Sequence, residues 1–283
     1  MYYNNMNTKQ NLLITMGCSY TEGVGCYDYN LFTETEKNKK KFSNDEVGDL
    51  YDIHRDNFHK MGWPNRVGKK LGYDKVLNLG VGGGSASGQL KKFVQIYDEE
   101  RISKYNVTII WMLSFSSRFS FYSQGWPRDL QMGASNKLSK YYTQFLDNIE
   151  NDTTLEQLFY LKCMENVCEN KNYNLITVHM DQKTDGLLKF LHKSKTYLFD
   201  DPKSIFFKLN RPKYFSPICN HPNEIGYEMV SEILVNQIQR KFPNYIPKVL
   251  SNNTTFEYEY ETPFVQWDET QIKKMKRPTN TII

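Results

Sequence analysis

Short apolar runs that alternate with helix-like segments are the feature that most constrains the fold of this chain. The run Asn106–Leu113 is apolar on both faces, which is typical of a strand in the middle of a parallel sheet. Strands are also predicted over 11–16, 75–79 and 173–179, and helices over 63–71, 88–100, 137–150, 154–170 and 223–241. This alternation predicts an α/β fold, a three-layer α/β/α sandwich around a parallel sheet of about five strands.

The sequence leaves the fifth strand open. Residues 195–199 and 204–209 both qualify, and the alternating run Phe-Glu-Tyr-Glu-Tyr-Glu at 256–261 could add an edge strand. Four prolines and a basic cluster interrupt the α/β pattern after residue 241. We therefore expect an α/β domain over residues 1–241 and a C-terminal extension or arm over 242–283.

Residues 25–60 are polar and weakly patterned, and we interpret them as a long insertion in the α/β domain. Such an insertion is either a lid or binding element, or a variable surface loop. His54 and His59 lie in it, and they could reach a lid or a metal, although no third ligand stands out.

Composition narrows the function classes. The net charge of +4, from 36 basic and 32 acidic residues, is too small to indicate a nucleic-acid partner. Five cysteines in 283 residues do not suggest a disulfide framework. We find neither a signal-peptide pattern at the start nor an apolar run long enough to cross a membrane. We expect a cytoplasmic or otherwise soluble chain without a membrane partner.

The first motif with chemical potential is Gly-Cys-Ser-Tyr-Thr-Glu-Gly at residues 17–23, directly after the first predicted strand. A serine hydroxyl becomes a nucleophile when a base removes its proton, and a tight turn between strand and helix displays it well. Backbone N–H groups of such a turn can also face a developing oxyanion. The alternative is a phosphate-binding or purely structural turn, where Gly-x-Ser after a strand is common.

Two further motifs, far from the first in sequence, could take part in the same chemistry. Residues 78–85 (Asn-Leu-Gly-Val-Gly-Gly-Gly-Ser) form a glycine-rich turn that lets backbone N–H groups approach a ligand, with spacing unlike a dinucleotide loop or P-loop. His221 precedes Pro222 and a helix whose expected N-cap is Asn223. A histidine there suits proton transfer near neutral pH, or it is simply a surface residue of a capping turn.

Together these motifs resemble the SGNH (GDSL-type) hydrolase family, over about residues 11–240. Family members carry Gly-Asp-Ser-x-x-x-Gly after the first strand, and residues 17–23 match this pattern except that Cys18 replaces the Asp. The resemblance implies a flavodoxin-like fold, Ser19 as nucleophile and His221 as general base, with no metal or organic cofactor.

The resemblance also implies an oxyanion hole. Asn78, Gly80 and Gly83 match the family pattern Asn-x-Gly-x-x-Gly, so the N–H of Gly83 would join that of the nucleophile as a donor. The third family motif, Gly-x-Asn-Asp, is not present. Ser116 falls at the position of its Asn and can donate one hydrogen bond, while Arg118 either adds positive charge nearby or binds an acidic substrate group.

The acid partner of the histidine is the second feature in which this chain departs from the family pattern. The family places an Asp two or three residues before the catalytic histidine, but here those positions are Cys219 and Ile218. Either His221 is oriented by a backbone carbonyl in a Ser–His dyad, or an acid arrives from elsewhere, with Asp200 and Asp201 as candidates.

The resulting expectation is a serine esterase-type hydrolase that acts on a small-molecule or glycan ester, with carbohydrate O-deacetylation as the substrate class that the resemblance suggests. Two alternatives remain open. The chain could be a catalytically weakened or inactive module that binds glycans or acyl ligands in the same cleft, or it could be an O-acyltransferase.

Overall fold

A computed structural model describes residues 9–39, 41–96, 100–114, 118–123, 126–131, 149–179, 191, 193–199, 209, 213–247 and 256–260. Within these ranges, a central sheet has five parallel strands: β1 (Asn11–Met16), β2 (Lys75–Asn78), β3 (Asn106–Leu113), β6 (Asn174–His179) and β7 (Glu257–Tyr260). Their order across the sheet is β6-β3-β1-β2-β7. An antiparallel hairpin that the sequence did not predict consists of β4 (Arg118–Ser123) and β5 (Trp126–Gln131).

The described helices are α1 (Ser19–Glu22), α2 (Glu34–Lys37), α3 (Asn44–Met61), α4 (Trp63–Leu71), α5 (Ala86–Ile96), α6 (Glu100–Ser103), α7 (Ile149–Lys171) and α8 (Glu224–Lys241). The chain moves from β1 to β2 in one direction across the sheet, and from β2 through β3 to β6 in the other. Because crossovers between parallel strands are right-handed, α4 and α8 cover one face and α5 and α7 the other. The pairs α4–α8 and α5–α7 are indeed in contact, which gives the expected three-layer α/β fold.

Strand β7 is the fifth strand of the sheet, whose location the sequence left open. The alternating run near the C-terminus pairs in parallel with β2, from Lys75–Glu257 to Asn78–Tyr260. Of the other two candidates, Tyr197 makes one isolated parallel bridge to Thr177, and residues 204–208 lie outside the described residues. The extension after residue 241 therefore contributes a strand to the same sheet.

Helix α3 occupies the region that the sequence analysis treated as a weakly patterned insertion. It starts with a capping box, in which the Ser43 hydroxyl accepts the Glu46 N–H and the Glu46 carboxylate accepts the Ser43 N–H. Its buried stripe runs through Leu50, His54 and Phe58, four residues apart. The apolar period is hard to see in the sequence because a histidine occupies the middle of the stripe.

Other predicted elements differ mainly in their ends. The helix expected over 88–100 is divided into α5 and α6, and the helix expected over 154–170 begins earlier, as α7. The helix expected over 137–150 lies outside the described residues except for its last two positions. No described helix has the combined length and apolar character that a membrane span requires.

Candidate active site

The serine turn begins where β1 ends. Cys18 is the N-cap of α1, and Ser19 is the first residue of the helix. Gly17 has no room for a side chain, because a Cβ there would lie 1.9 Å from the Thr21 Oγ1. Gly23 ends the helix with φ of +98°, a left-handed conformation that favours glycine, and its N–H donates to the Ser19 carbonyl. These contacts fix the Ser19 side chain at the carboxyl edge of the sheet.

His221 lies in the loop that precedes α8, and backbone hydrogen bonds hold this loop in place. The Ser216 N–H donates to the His221 carbonyl at 2.8 Å, and the Asn223 N–H donates to the Tyr214 carbonyl at 2.9 Å. Gly25 packs directly against the loop, since a Cβ on it would lie 3.1 Å from that of His221. The imidazole is therefore presented by a loop that is braced on both sides.

The two residues meet, although they are 202 positions apart in sequence: the His221 Nε2 lies 2.7 Å from the Ser19 Oγ. Ser19 is buried and His221 is half-buried. The Tyr20 ring packs against the imidazole, with centroids 4.8 Å apart, and its hydroxyl donates to the Asn220 carbonyl. Sequence reasoning missed Tyr20, because it occupies an unspecified position of the motif.

Cys219 occupies one of the two positions where the family resemblance expects an acid. Its thiol is surrounded by the Tyr27 hydroxyl, the His221 backbone N–H and the Ser216 hydroxyl. Burial raises the pKa of the thiol above its ordinary value, so Cys219 is uncharged at neutral pH. It cannot stabilise an imidazolium as a carboxylate would. The other candidates, Asp200 and Asp201, lie outside the described residues.

Asn78, at the end of β2, connects the glycine loop to the serine turn. Its Oδ1 accepts hydrogen bonds from the Gly80 N–H at 2.9 Å and from the Thr15 hydroxyl at 3.1 Å. Its Nδ2 donates to the Thr21 carbonyl in α1 at 3.0 Å. One buried amide thus ties β1, α1 and the start of the glycine loop together, which explains the need for Asn at this position.

The glycine loop runs beside the serine turn. The Val81 N–H donates to the Gly17 carbonyl at 3.1 Å, and the Gly84 N–H closes a turn onto the Val81 carbonyl at 3.0 Å. Gly83 is exposed and has φ of +74°, so a side chain there would be strained. Of the other expected oxyanion and substrate residues, Ser116 lies outside the described residues and Arg118 is the first residue of β4.

A buried charged cluster lies next to the glycine loop, and the sequence analysis did not anticipate it. The carboxylate of Glu22 is fully buried, accepts a hydrogen bond from the Tyr51 hydroxyl and lies 3.5 Å from the Arg55 Nε. Burial raises the pKa of Glu22, and the bond from Tyr51 and the charge of Arg55 oppose this increase. Burial also lowers the pKa of His59 to about 3, with Arg55 adding to the effect, so its 3.7 Å approach to Glu22 is not an ion pair at neutral pH.

The two histidines of the insertion lie in different clusters. His54 packs between aromatic rings, and its Nδ1 accepts the Asp28 N–H at 3.1 Å. His59 stacks on Tyr260 of β7 with centroids 3.9 Å apart. Among the described residues, no group of three or more His, Cys, Asp or Glu side chains is arranged to hold a metal ion.

Comparisons with known proteins give distant likenesses. No family model and no curated protein matches this chain. One similar solved structure is a carbohydrate esterase whose active site displays divergent catalytic and non-catalytic binding functions; it is 12% identical, with 84% of this chain and 70% of that chain covered and a TM-score of 0.48. Another is the lipase Lip_vut3 from a goat rumen metagenome, 14% identical, with 82% and 97% covered and a TM-score of 0.42. These likenesses are too distant to identify site residues in this chain.

Proposed function

We propose that this chain hydrolyses esters, with Ser19 as the nucleophile and His221 as the general base. The observation that carries the proposal is the 2.7 Å distance between the His221 Nε2 and the Ser19 Oγ. At this distance the imidazole can accept the hydroxyl proton directly. The buried serine and the braced histidine loop support it further, since a positioned pair needs little reorganisation before the reaction.

In the proposed reaction, His221 takes the Ser19 proton as the Oγ bonds to the acyl carbon of the ester. Negative charge develops on the former carbonyl oxygen, where the N–H groups of Ser19 and Gly83 and the hydroxyl of Ser116 would donate hydrogen bonds. The imidazolium then protonates the departing alcohol oxygen. A water molecule, deprotonated by the same imidazole, attacks the acyl-enzyme and releases the acid and the free serine.

We expect slow turnover, because the histidine has a neutral thiol in place of an acid two residues before it. Loss of a triad acid can cost about 10⁴ in rate when the histidine tautomer is wrong. In this proposal, the Tyr20 ring and the braced loop orient the imidazole, and the site operates as a dyad. An acid from residues 200 and 201 would make it a triad.

We further propose that the chain is a divergent SGNH hydrolase, and that an acetylated carbohydrate is its substrate class. The support is the order of the three motifs and the contacts of Asn78, which tie the second motif to the first. The substrate class follows from the family resemblance alone. A panel of acetylated sugars and p-nitrophenyl esters of increasing chain length tests it, and a preference for long acyl chains would contradict it.

The activity is tested with p-nitrophenyl acetate. Ser19→Ala and His221→Gln should each lower kcat/KM by at least about 10²-fold, because each removes a partner of the proton transfer. Ser231→Ala is the matched control: this serine is also buried, but its hydroxyl donates to the Tyr227 carbonyl within α8. A Ser19→Ala protein as active as the Ser231→Ala control would refute the mechanism.

A second candidate is a binding module that retains the cleft and has lost efficient catalysis. The neutral Cys219 thiol beside His221 favours it. An inert wild type that binds acetylated glycans in calorimetry would support this candidate. If a sugar acceptor instead captures the acyl group faster than water, the chain is an O-acyltransferase with the same dyad.

A further inference from the structure

Glu22 is a buried carboxyl group that the proposed chemistry does not use. It is the last residue of α1, three positions after Ser19, and its side chain has no exposed surface. An ionised carboxylate in such a place is costly unless donors and positive charges compensate it. The groups around the carboxylate therefore indicate what it does.

The carboxylate connects the insertion to the glycine loop. One oxygen, Oε1, accepts the Tyr51 hydroxyl of α3 and lies near the Arg55 guanidinium. The other, Oε2, faces the loop: a Cβ on Gly82 would lie 3.2 Å from it and 3.3 Å from the Tyr51 hydroxyl oxygen. The Gly82 backbone N–H favours the charged form and so opposes the rise in the pKa of Glu22, but Oε2 has no hydrogen-bond partner of ordinary geometry among the described residues.

Charges from other elements complete the environment. Lys92 of α5 also favours the carboxylate. The neutral His59 ring approaches Oε1 to 3.7 Å, and the Tyr258 hydroxyl is close enough for Glu22 to raise its pKa. Gly82 itself is exposed, and the peptide that follows it leads into Gly83 with its positive φ. A fixed acceptor beside the Gly82 peptide would limit the directions in which the Gly83 N–H can point.

We infer that Glu22 and Tyr51 are positioning residues for the glycine loop. The carboxylate, anchored by Tyr51 and Arg55, packs with the Tyr51 hydroxyl against Gly82 and thereby limits the orientation of the Gly83 N–H. The catalytic consequence rests on the proposed function, in which this N–H stabilises the oxyanion. Helix α3 belongs to the insertion over residues 25–60. In this inference its role is to support the glycine loop, in addition to any role as a lid.

The holding of the loop is tested without any activity. Hydrogen exchange is measured in the full chain at the amides of Gly80, Val81 and Gly84, whose N–H groups are hydrogen bonded. Glu22→Gln and Tyr51→Phe should each accelerate exchange by about tenfold, as expected for loss of a hydrogen bond to a charged group. The matched control is Tyr73→Phe, which also removes a tyrosine hydroxyl bond, the one to the Tyr245 carbonyl at 2.8 Å.

Steady-state kinetics with p-nitrophenyl acetate separate positioning from general stability. Tyr51→Phe should lower kcat about tenfold and leave KM within about twofold, because the loop donates to the transition state. The double variant with Glu22→Gln should lose little more than the single variants, since both changes break one contact chain.

Two results would overturn the inference. One is exchange in both variants no faster than in Tyr73→Phe, and the other is a wild-type kcat in Tyr51→Phe, with or without an increase in KM. An inactive wild type would refute the proposed function, and the exchange data alone would then decide whether Glu22 and Tyr51 hold the loop.

Discussion

At the scale of single residues, Tyr20 is the side chain that packs on the His221 ring, and its hydroxyl holds the neighbouring Asn220 carbonyl at 3.1 Å. Tyr20→Phe keeps the ring and removes one hydrogen bond, a contribution of about 0.5–1.5 kcal/mol, so kcat should fall by less than about tenfold. Tyr20→Ala also frees the imidazole, and we expect a larger loss of kcat. Equal activities of the two variants would show that the ring contact does not orient His221.

His59 makes stability depend on pH. Its folded pKa of about 3 lies below its unfolded value, so the unfolded chain binds more protons and stability falls as the pH decreases from about 6.5 to about 3. The titratable groups near the ring are Arg55, Lys92, Glu22 and Tyr260, and the Asn78 Nδ2 lies 3.3 Å from the ring Nδ1.

In urea denaturation across this pH range, His59→Gln should have a slope shallower than the wild type by up to about 1.4 kcal/mol per pH unit, the value for one proton. Glu22 has the opposite effect: because its folded pKa is raised, stability falls as the pH rises above its unfolded pKa. This effect is present in both the wild type and His59→Gln. Identical slopes for the two proteins would show that the buried ring does not control acid stability.

The sequence was sufficient to predict that Ser19 and His221 lie together, because each motif residue has a chemical reason that is visible in its neighbours. It could not select Tyr20 or Glu22. Both occupy positions of the first motif where any residue is allowed, and their roles depend on partners about 200 and about 30 positions away. The neutral state of Cys219 also depends on burial, which only the fold reveals.

At the scale of elements, helix α8 and its N-cap residue hold the loop that carries His221 in place. The Asn223 Oδ1 accepts the Gly226 N–H at 2.9 Å, and its Nδ2 donates to the Lys213 carbonyl at 2.9 Å. Asn223→Ala should lower the free energy of unfolding by about 1 kcal/mol, the usual value of an N-cap, and should also lower kcat because His221 is two residues away.

The matched control for this change is Ser43→Ala, which removes the cap at the start of α3, eight positions before Tyr51. It should cost a similar free energy of unfolding and leave kcat nearly unchanged. Both quantities come from urea denaturation and the acetate assay. A loss of kcat in Ser43→Ala as large as that in Asn223→Ala would show that the histidine loop is not specifically supported by its cap.

Elements with a regular apolar period were predictable, whereas α3, which has a histidine in its buried stripe, was not. The sequence placed β1, β3 and α4 at their observed ends. Helix α3 escaped prediction because His54 interrupts its buried stripe and His59 lies beside Glu22. The buried His59 contacts Glu22 of α1 and Tyr260 of β7, both of which are distant in sequence.

At the scale of the whole molecule, the strand order brings the carboxyl ends of β1 and β2 together, and the two motifs follow these strands directly. In open parallel sheets, sites lie beyond the carboxyl ends of strands, so the location agrees with the topology. The C-terminal extension closes this side of the sheet: the Tyr258 hydroxyl lies 3.1 Å from the Asn78 Nδ2, and Tyr260 stacks on His59.

We therefore predict that β7 stabilises the molecule and the site together. A chain that ends at residue 255 exposes the edge of β2 and removes both contacts, so it should lose at least about 2 kcal/mol of unfolding free energy relative to a chain that ends at residue 260. It should also aggregate more readily, as measured by light scattering. Equal stability of the two chains would contradict the role of β7.

The central claim is that His221 activates Ser19, and covalent labelling tests it most directly. The wild-type chain is incubated with a fluorophosphonate, and the modified residue is identified by peptide mass spectrometry. The account predicts an adduct on Ser19 that forms at least about 10²-fold more slowly in His221→Gln, because the serine then lacks its base. Labelling at a different residue, or labelling of Ser19 at an unchanged rate without the imidazole, would contradict it.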